Sequence, residues 1–197
     1  VGSMLSTTNS ERVNKIDHIF LNSVKRKHVK ATNQGASGRC WMFAALNSFR
    51  HILINAINLE NFEFSETYLF FWDKLERSNY FLKWMIDNRD ISVTDRSFEY
   101  MISEYMGDGG YWNTFANLVT KYGVVPLSAM KETFQSDDTD EMNRIIIERL
   151  HSTVNYIRNK KCQDWDALRL KVVQNIYDIL VKFLGEPPKK FNWSFIT

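Results

Sequence analysis

Apolar residues recur every three or four positions through most of this chain, and that rhythm predicts helices. From Ser10 to about Phe20 the positions Val13, Ile16, Ile19 and Phe20 keep it. A polar stretch with the turn residues Asn33, Gly35, Ser37 and Gly38 then leads as a loop into Cys40. Beyond Cys40, Phe43, Leu46, Phe49, Leu53 and Ile57 hold helical spacing, with Ala44 and Ala45 between them. Such a pattern belongs to a helix buried over much of its circumference, and it predicts the central helix of the domain.

Ser65 is placed to cap a second long helix, with Phe64 before it and Leu69 after it forming a hydrophobic staple. This helix runs through Tyr68, Phe71, Trp72, Leu75, Leu82 and Met85, with a break expected near Ser78 and Asn79. Thr94 or Asp95 caps a third through Phe98, Met101, Ile102 and Tyr105, which Gly107, Asp108, Gly109 and Gly110 must terminate. A fourth covers Phe115, Leu118, Val119 and Tyr122 and ends at Gly123. Leu127 to Asp140 is polar and is expected to be a surface connection. Two further helices are expected, from about Glu141 to Asn159 and from about Asp164 to Leu184, where Gly185, Pro187 and Pro188 stop the second. Phe191, Trp193 and Phe195 alternate with polar residues as a half-buried strand would.

Composition supports a helical globular protein: 44% of the 197 residues are hydrophobic and 14% aromatic, whereas Gly 8 and Pro 3 are too few for a turn-dense barrel or sandwich. The formal charge of +2 is spread along the chain, so no global field points to nucleic acid or an anionic membrane. One basic run, Lys25, Arg26, Lys27, His28, Val29, Lys30, is either a solvated approach to the first buried helix or a weak nucleic-acid contact. The two cysteines, Cys40 and Cys162, form neither a zinc pattern nor a disulfide framework, which is the usage of a cytosolic protein. No apolar run is long enough for a membrane span, and the opening residues lack a signal-peptide layout. Val1, Gly2 and Ser3 before Met4 have the look of a cloning scar.

Candidate chemistry concentrates at Cys40. A cysteine at the start of a helix meets unpaired backbone N–H groups and a partial positive charge, which favour thiolate over thiol. Arg39 adds charge unless its side chain points elsewhere. Gln34, six residues upstream, can bring its amide near the sulfur, and with the Cys40 N–H it would supply the two donors of an oxyanion hole. The competing reading is a buried cysteine without chemistry.

The string Q-x-x-x-G-R-C-W-x-F-A, from Gln34 to Ala44, resembles the active-site motif of papain-like peptidases, and Asn33 to Ala45 is most similar to the bleomycin hydrolase and aminopeptidase C family. Phe62 to Arg77, Asp108 to Pro126 and Leu184 to Trp193 resemble three further blocks of that family in the same order. The resemblance implies an α+β papain-like fold of which this chain is the mostly helical half. By position, 1–3 is the scar, 4–32 an N-terminal segment, 33–126 the helical domain with the nucleophile, 127–190 a helical insertion, and 191–197 a strand leading to the sheet-rich half. It further implies Cys40 as nucleophile, Gln34 as oxyanion donor, and the segment Asp108, Gly109 and Gly110 along the substrate cleft. The two glycines would offer main chain to a peptide without a Cβ in the way, or else merely end a helix. The family also implies a homohexamer, broad peptide substrates including the amide of bleomycin, and neither metal nor cofactor.

The family's catalytic histidine and the asparagine orienting it match no position here. His18 and His28 precede the nucleophile, His51 lies eleven residues along its helix, and His151 falls in a later helix. Trp41 and Trp112 read as packing residues, and Cys162 as incidental. A cysteine aminopeptidase is the leading reading; a non-catalytic helical assembly module and a nucleic-acid binder using Lys25 to Lys30 are the rivals.

Overall fold

The computed structural model of this protein describes residues 9, 11–12, 15, 30–159 and 164–194. Most of the helix expected from Ser10 to Phe20, His18, most of the basic run including His28, Cys162 and Phe195 lie outside the described residues. The chain divides into two units, residues 1–30 and 31–197. In the first, Asn9 Oδ1 accepts the Arg12 N–H at 3.0 Å and Lys15 pairs with Glu11 at 2.6 Å, both local helical-turn contacts.

The second unit is built from helices. In chain order they are α1 (Cys40–Ala56), α2 (Glu66–Asp87), α3 (Arg96–Ser103), α4 (Trp112–Tyr122), α5 (Phe134–Asp137), α6 (Asp140–Asn159) and α7 (Trp165–Leu184). Their starts follow the capping residues in the sequence. Ser65 Oγ accepts the Tyr68 N–H at 3.1 Å, Asp95 accepts that of Ser97 at 2.8 Å, and Asp164 accepts that of Ala167 at 2.9 Å. α4 and α7 stop at Gly123 and Gly185, whose φ angles of +72° and +86° a glycine adopts without strain.

α2, not α1, is the central helix. It packs against α1, α4, α6 and α7, most extensively against α7. Phe70, Phe71, Phe81 and Leu82 on it are wholly buried, each contributing about 2 kcal/mol through removal from water. α1 buries Met42, Phe43, Leu46 and Ile54 but leaves Phe49 and Ile52 open. Apolar spacing placed α1 at the centre because it shows that several faces are apolar, not which of them meets a neighbour. The break expected in α2 does not form: Ser78 is buried and its Oγ donates to the Lys74 carbonyl at 2.7 Å, so the polar residue is satisfied within the helix.

Two other expectations change. The segment 127–140 is not a mere surface connection. Met130, Ser136 and Thr139 are buried, and a capping box between Thr133 and Ser136 starts the short α5. Residues 191–194 form no strand, since no extended neighbour among the described residues offers a ladder; Trp193 instead sets its ring edge-on to Phe62 at 5.4 Å. The β-pairing among the described residues is limited to two isolated bridges, Ala36 with Asp138 and Phe64 with Pro126.

Candidate active site

Cys40 is the first residue of α1 and is exposed. Arg39, just before it, turns the opposite way and is completely buried. Its carbonyl accepts the N–H groups of Met42 and Phe43 at 2.9 and 3.0 Å, which begins the helix. The N–H groups of Cys40 and Trp41 have no backbone acceptor among the described residues. They are donors left over in the first turn of the helix that carries the thiol, the type of group an oxyanion can take up.

Gln34 is half-buried at the far end of the same loop. Its carbonyl accepts the Ser37 hydroxyl at 2.5 Å, and Asn33 Oδ1 takes the Gly35 N–H at 3.1 Å, so the loop is folded on itself. Gly35 and Gly38 adopt φ of +60° and +61°. A Cβ on Gly35 would lie 2.5 Å from the Asp137 carbonyl, and one on Gly38 would lie 2.3 Å from Asp108 Cβ. Glycine is required at both positions by conformation and by space.

The second contact brings the Asp108 to Gly110 segment to Cys40. Trp41 Nε1 donates to the Asp108 carbonyl at 2.9 Å, and a Cβ on Gly110 would come within 2.4 Å of the Trp41 ring. Gly109 faces open space. These glycines are no helix terminator, because α3 already ends at Ser103. The Asp108 carboxylate points inward, receiving Lys74 Nζ at 2.6 Å and Asn143 Nδ2 at 2.9 and 3.2 Å. From behind, Arg77 pairs with Asp73 and donates to the carbonyls of Tyr105, Gly107 and Gly109 at 3.4, 3.3 and 2.7 Å. The glycine segment is thus pinned on one side and free on the other. Asp73, buried beneath, is raised above its usual range by desolvation, with Arg77 and Lys74 opposing.

Two hollows flank the segment. One of about 380 Å³ is lined by Trp41, Phe49, Tyr111, Trp112 and Phe115. The other, about 550 Å³, is lined by Arg77, Tyr105, Gly109, Gly110 and Tyr111. Tyr111 and Trp112 are 82% and 63% exposed, so Trp112 is not simply a packing residue. Its ring touches Phe49 and Phe115 on one side, and the rest borders the apolar hollow.

The described histidines do not complete a catalytic pair. His51 lies about 16 Å along α1 from Cys40, at 1.5 Å per residue. His151 Nε2 is paired with the Ile102 carbonyl at 3.2 Å. No cluster of metal-ligating side chains occurs among the described residues, and none of their helices is long and apolar enough to cross a membrane.

Sequence reasoning missed the pins beneath the site. Lys74 and Asp73 had a signal, since three and four positions after Phe70 they fall on the apolar face of α2. Glu132, which pairs with Arg39 at 2.8 Å, had none.

Comparison with known proteins bears on the family and the fold. The profile of the Peptidase C1-like family matches residues 1–197. Aminopeptidase C of Listeria monocytogenes is 40% identical over 98% of the chain, and human bleomycin hydrolase is 33% identical over 93% of it. A crystal structure of PepW from Lactobacillus rhamnosis HN001 superposes with a TM-score of 0.83 at 34% identity, covering 93% of the chain. The chain spans 44% of the first relative's length and 42% of that of the other two. The mostly helical architecture is thus the helical part of a papain-like peptidase fold, and the chain belongs to the Peptidase C1-like family.

Proposed function

We propose that the protein carrying this chain is a cysteine aminopeptidase hydrolysing peptide bonds, with Cys40 as nucleophile. The observation that carries this reading is the exposed thiol at the start of α1, set beside unpaired N–H groups and a glycine segment fixed next to it. The thiolate attacks the peptide carbonyl carbon, and the C=O electron pair moves onto oxygen. The Cys40 N–H and the Gln34 side-chain amide donate to that oxyanion. The C–N bond then breaks as a histidine from outside these 197 residues hands its proton to the leaving amine, and water hydrolyses the thioester. The peptide backbone lies along Gly109 and Gly110, and an apolar side chain fits the hollow at Trp112. The Asp108 carboxylate, held by Lys74 and Asn143, supports this segment rather than the substrate.

On this reading the 197 residues alone show no turnover. The likeness to aminopeptidase C and bleomycin hydrolase favours a homohexamer acting in the cytoplasm on peptides, with any nucleic-acid binding weak. The test is hydrolysis of an aminoacyl 4-nitroanilide by the protein at the full length of its relatives. Cys40→Ala should abolish turnover and leave the fold intact. Gln34→Ala should lower kcat by about 10²-fold, the loss of one oxyanion donor. Turnover retained by Cys40→Ala refutes the assignment.

A further inference from the structure

Arg39 is the most heavily bonded side chain near the candidate nucleophile, and its position is unusual. It adjoins Cys40 in sequence, yet its guanidinium is wholly buried and every one of its five N–H groups has an acceptor. Nε donates to Ser37 Oγ at 2.7 Å. Nη1 donates to Thr67 Oγ1 at 3.3 Å and Glu132 Oε1 at 3.2 Å. Nη2 donates to Glu132 Oε2 and the Ser136 carbonyl, both at 2.8 Å. The rings of Phe43 and Phe70 close over it at 5.0 and 5.5 Å. These acceptors belong to the nucleophile loop, to α2, and to the segment 132–136.

The residues that follow this segment also grip the loop directly. The Ala36 N–H donates to the Asp137 carbonyl at 2.7 Å, and Thr139 Oγ1 donates to the Ser37 carbonyl at 3.4 Å. Glu132 is itself fixed by Thr67 and Ser136 hydroxyls, each at 2.6 Å. Burial works to raise its carboxyl, but the bonds from Arg39, Ser136 and Thr67 outweigh this and hold it below the usual range. Glu132 therefore favours its ionised form.

An ion pair whose guanidinium is wholly buried contributes little net stability, because desolvating that charge offsets much of the attraction to a partly exposed carboxylate. What five directional bonds supply is geometry. The loop from Gln34 to Cys40 contains two glycines in left-handed conformation, and a chain with such freedom settles in one arrangement only where something holds it. We propose that Arg39 and Glu132 are positioning residues for catalysis, a clamp that sets the Gln34–Cys40 loop so that its donors meet the oxyanion. This inference rests on the peptidase reading above and names the residues that give its oxyanion site its precision.

The test uses the protein at the full length of its relatives, in two variants. Arg39→Met/Glu132→Met removes both charges, so no buried guanidinium is left without its carboxylate, and Glu132→Gln keeps the shape and the oxygen acceptor while losing the charge. Three quantities are read: kcat and KM on an aminoacyl 4-nitroanilide, the iodoacetamide alkylation rate of Cys40, and hydrogen–deuterium exchange over residues 33–41 and 66–87. For the double variant kcat should fall about 10²-fold with KM within about threefold, the signature of misplaced groups rather than lost binding. Alkylation, which needs no oxyanion donors, should stay within about threefold, and exchange should rise about tenfold over 33–41 but not over α2. Glu132→Gln should show the same pattern at roughly a tenth of the size in kcat, and it decides the matter if the double variant does not fold.

Unchanged kcat in a folded variant, or a fall in kcat without faster exchange over the loop, overturns the proposal. So does a parallel collapse of kcat, alkylation and α2 protection, which would make the clamp a folding element only. Loop exchange that rises as expected in a protein whose parent form has no turnover would leave the clamp standing and refute the peptidase reading instead.

Discussion

Glu66 offers a quantitative check on the interior beneath the loop that precedes Cys40. It opens α2, is 4% exposed, and neighbours Glu132 and Arg39. Burial pushes its carboxyl from 4.5 up to about 7; Glu132 and Glu63 add to the rise, while its own backbone N–H and Arg39 oppose it. This displacement corresponds to roughly 3 kcal/mol, at about 1.4 kcal/mol for each tenfold change in proton affinity. The folded carboxyl keeps its proton to higher pH than the unfolded one. Its contribution to stability is therefore fully present below about pH 4.5 and is lost as the pH rises to about 7. Glu66→Gln keeps the volume and cannot ionise, so the variant escapes that loss. Urea unfolding followed by tryptophan fluorescence should find the variant more stable at pH 8 by up to about 3 kcal/mol, with the advantage over the parent shrinking steadily toward pH 4.5. Glu132 and Glu76, whose carboxyls are held low, titrate in both proteins and largely cancel in the difference. A difference that stays constant between pH 4.5 and 8 would refute the argument that Glu66 is buried without an adequate partner.

The two glycines Gly109 and Gly110 should respond differently to the same change. Gly110→Ala drives a methyl into the Trp41 ring and should destabilise by about 1–3 kcal/mol, whereas Gly109→Ala enters open space and should stay within about 0.5 kcal/mol, as thermal unfolding will show. Lys74→Met leaves the Asp108 carboxylate without its cation and should cost about 3 kcal/mol; adding Asp108→Ala should recover part of that loss, and additive losses in urea unfolding would contradict the pairing.

Much of the local structure was legible in the sequence because it depends on neighbours within a few positions. Ser65, Asp95 and Asp164 cap helices through hydroxyl or carboxylate groups that reach only two or three residues onward. Gly123 and Gly185 stop helices for an equally local reason, the freedom of a backbone without Cβ. The helical character and a cysteine opening α1 were likewise readable from periodicity, and the family from the resemblance of its motifs, whereas the exposure of that cysteine was left open until the structure was known. The primacy of α2 was not, since the apolar faces of α1 and α2 resemble each other until the partners that cover them are known.

The site divides along the same line. That Cys40 follows a glycine-bearing loop and begins a helix is written in adjacent residues, so its candidacy came from sequence alone. That Arg39 turns inward, that Glu132, nearly a hundred residues later, receives it, and that Lys74 and Arg77 pin the glycine segment are decided only when distant stretches meet. A charged side chain next to a nucleophile can as well face solvent as the core. Only the tertiary structure, by surrounding the Arg39 guanidinium with five acceptors and two aromatic rings, makes burial the lower-energy choice and leaves the thiol facing outward.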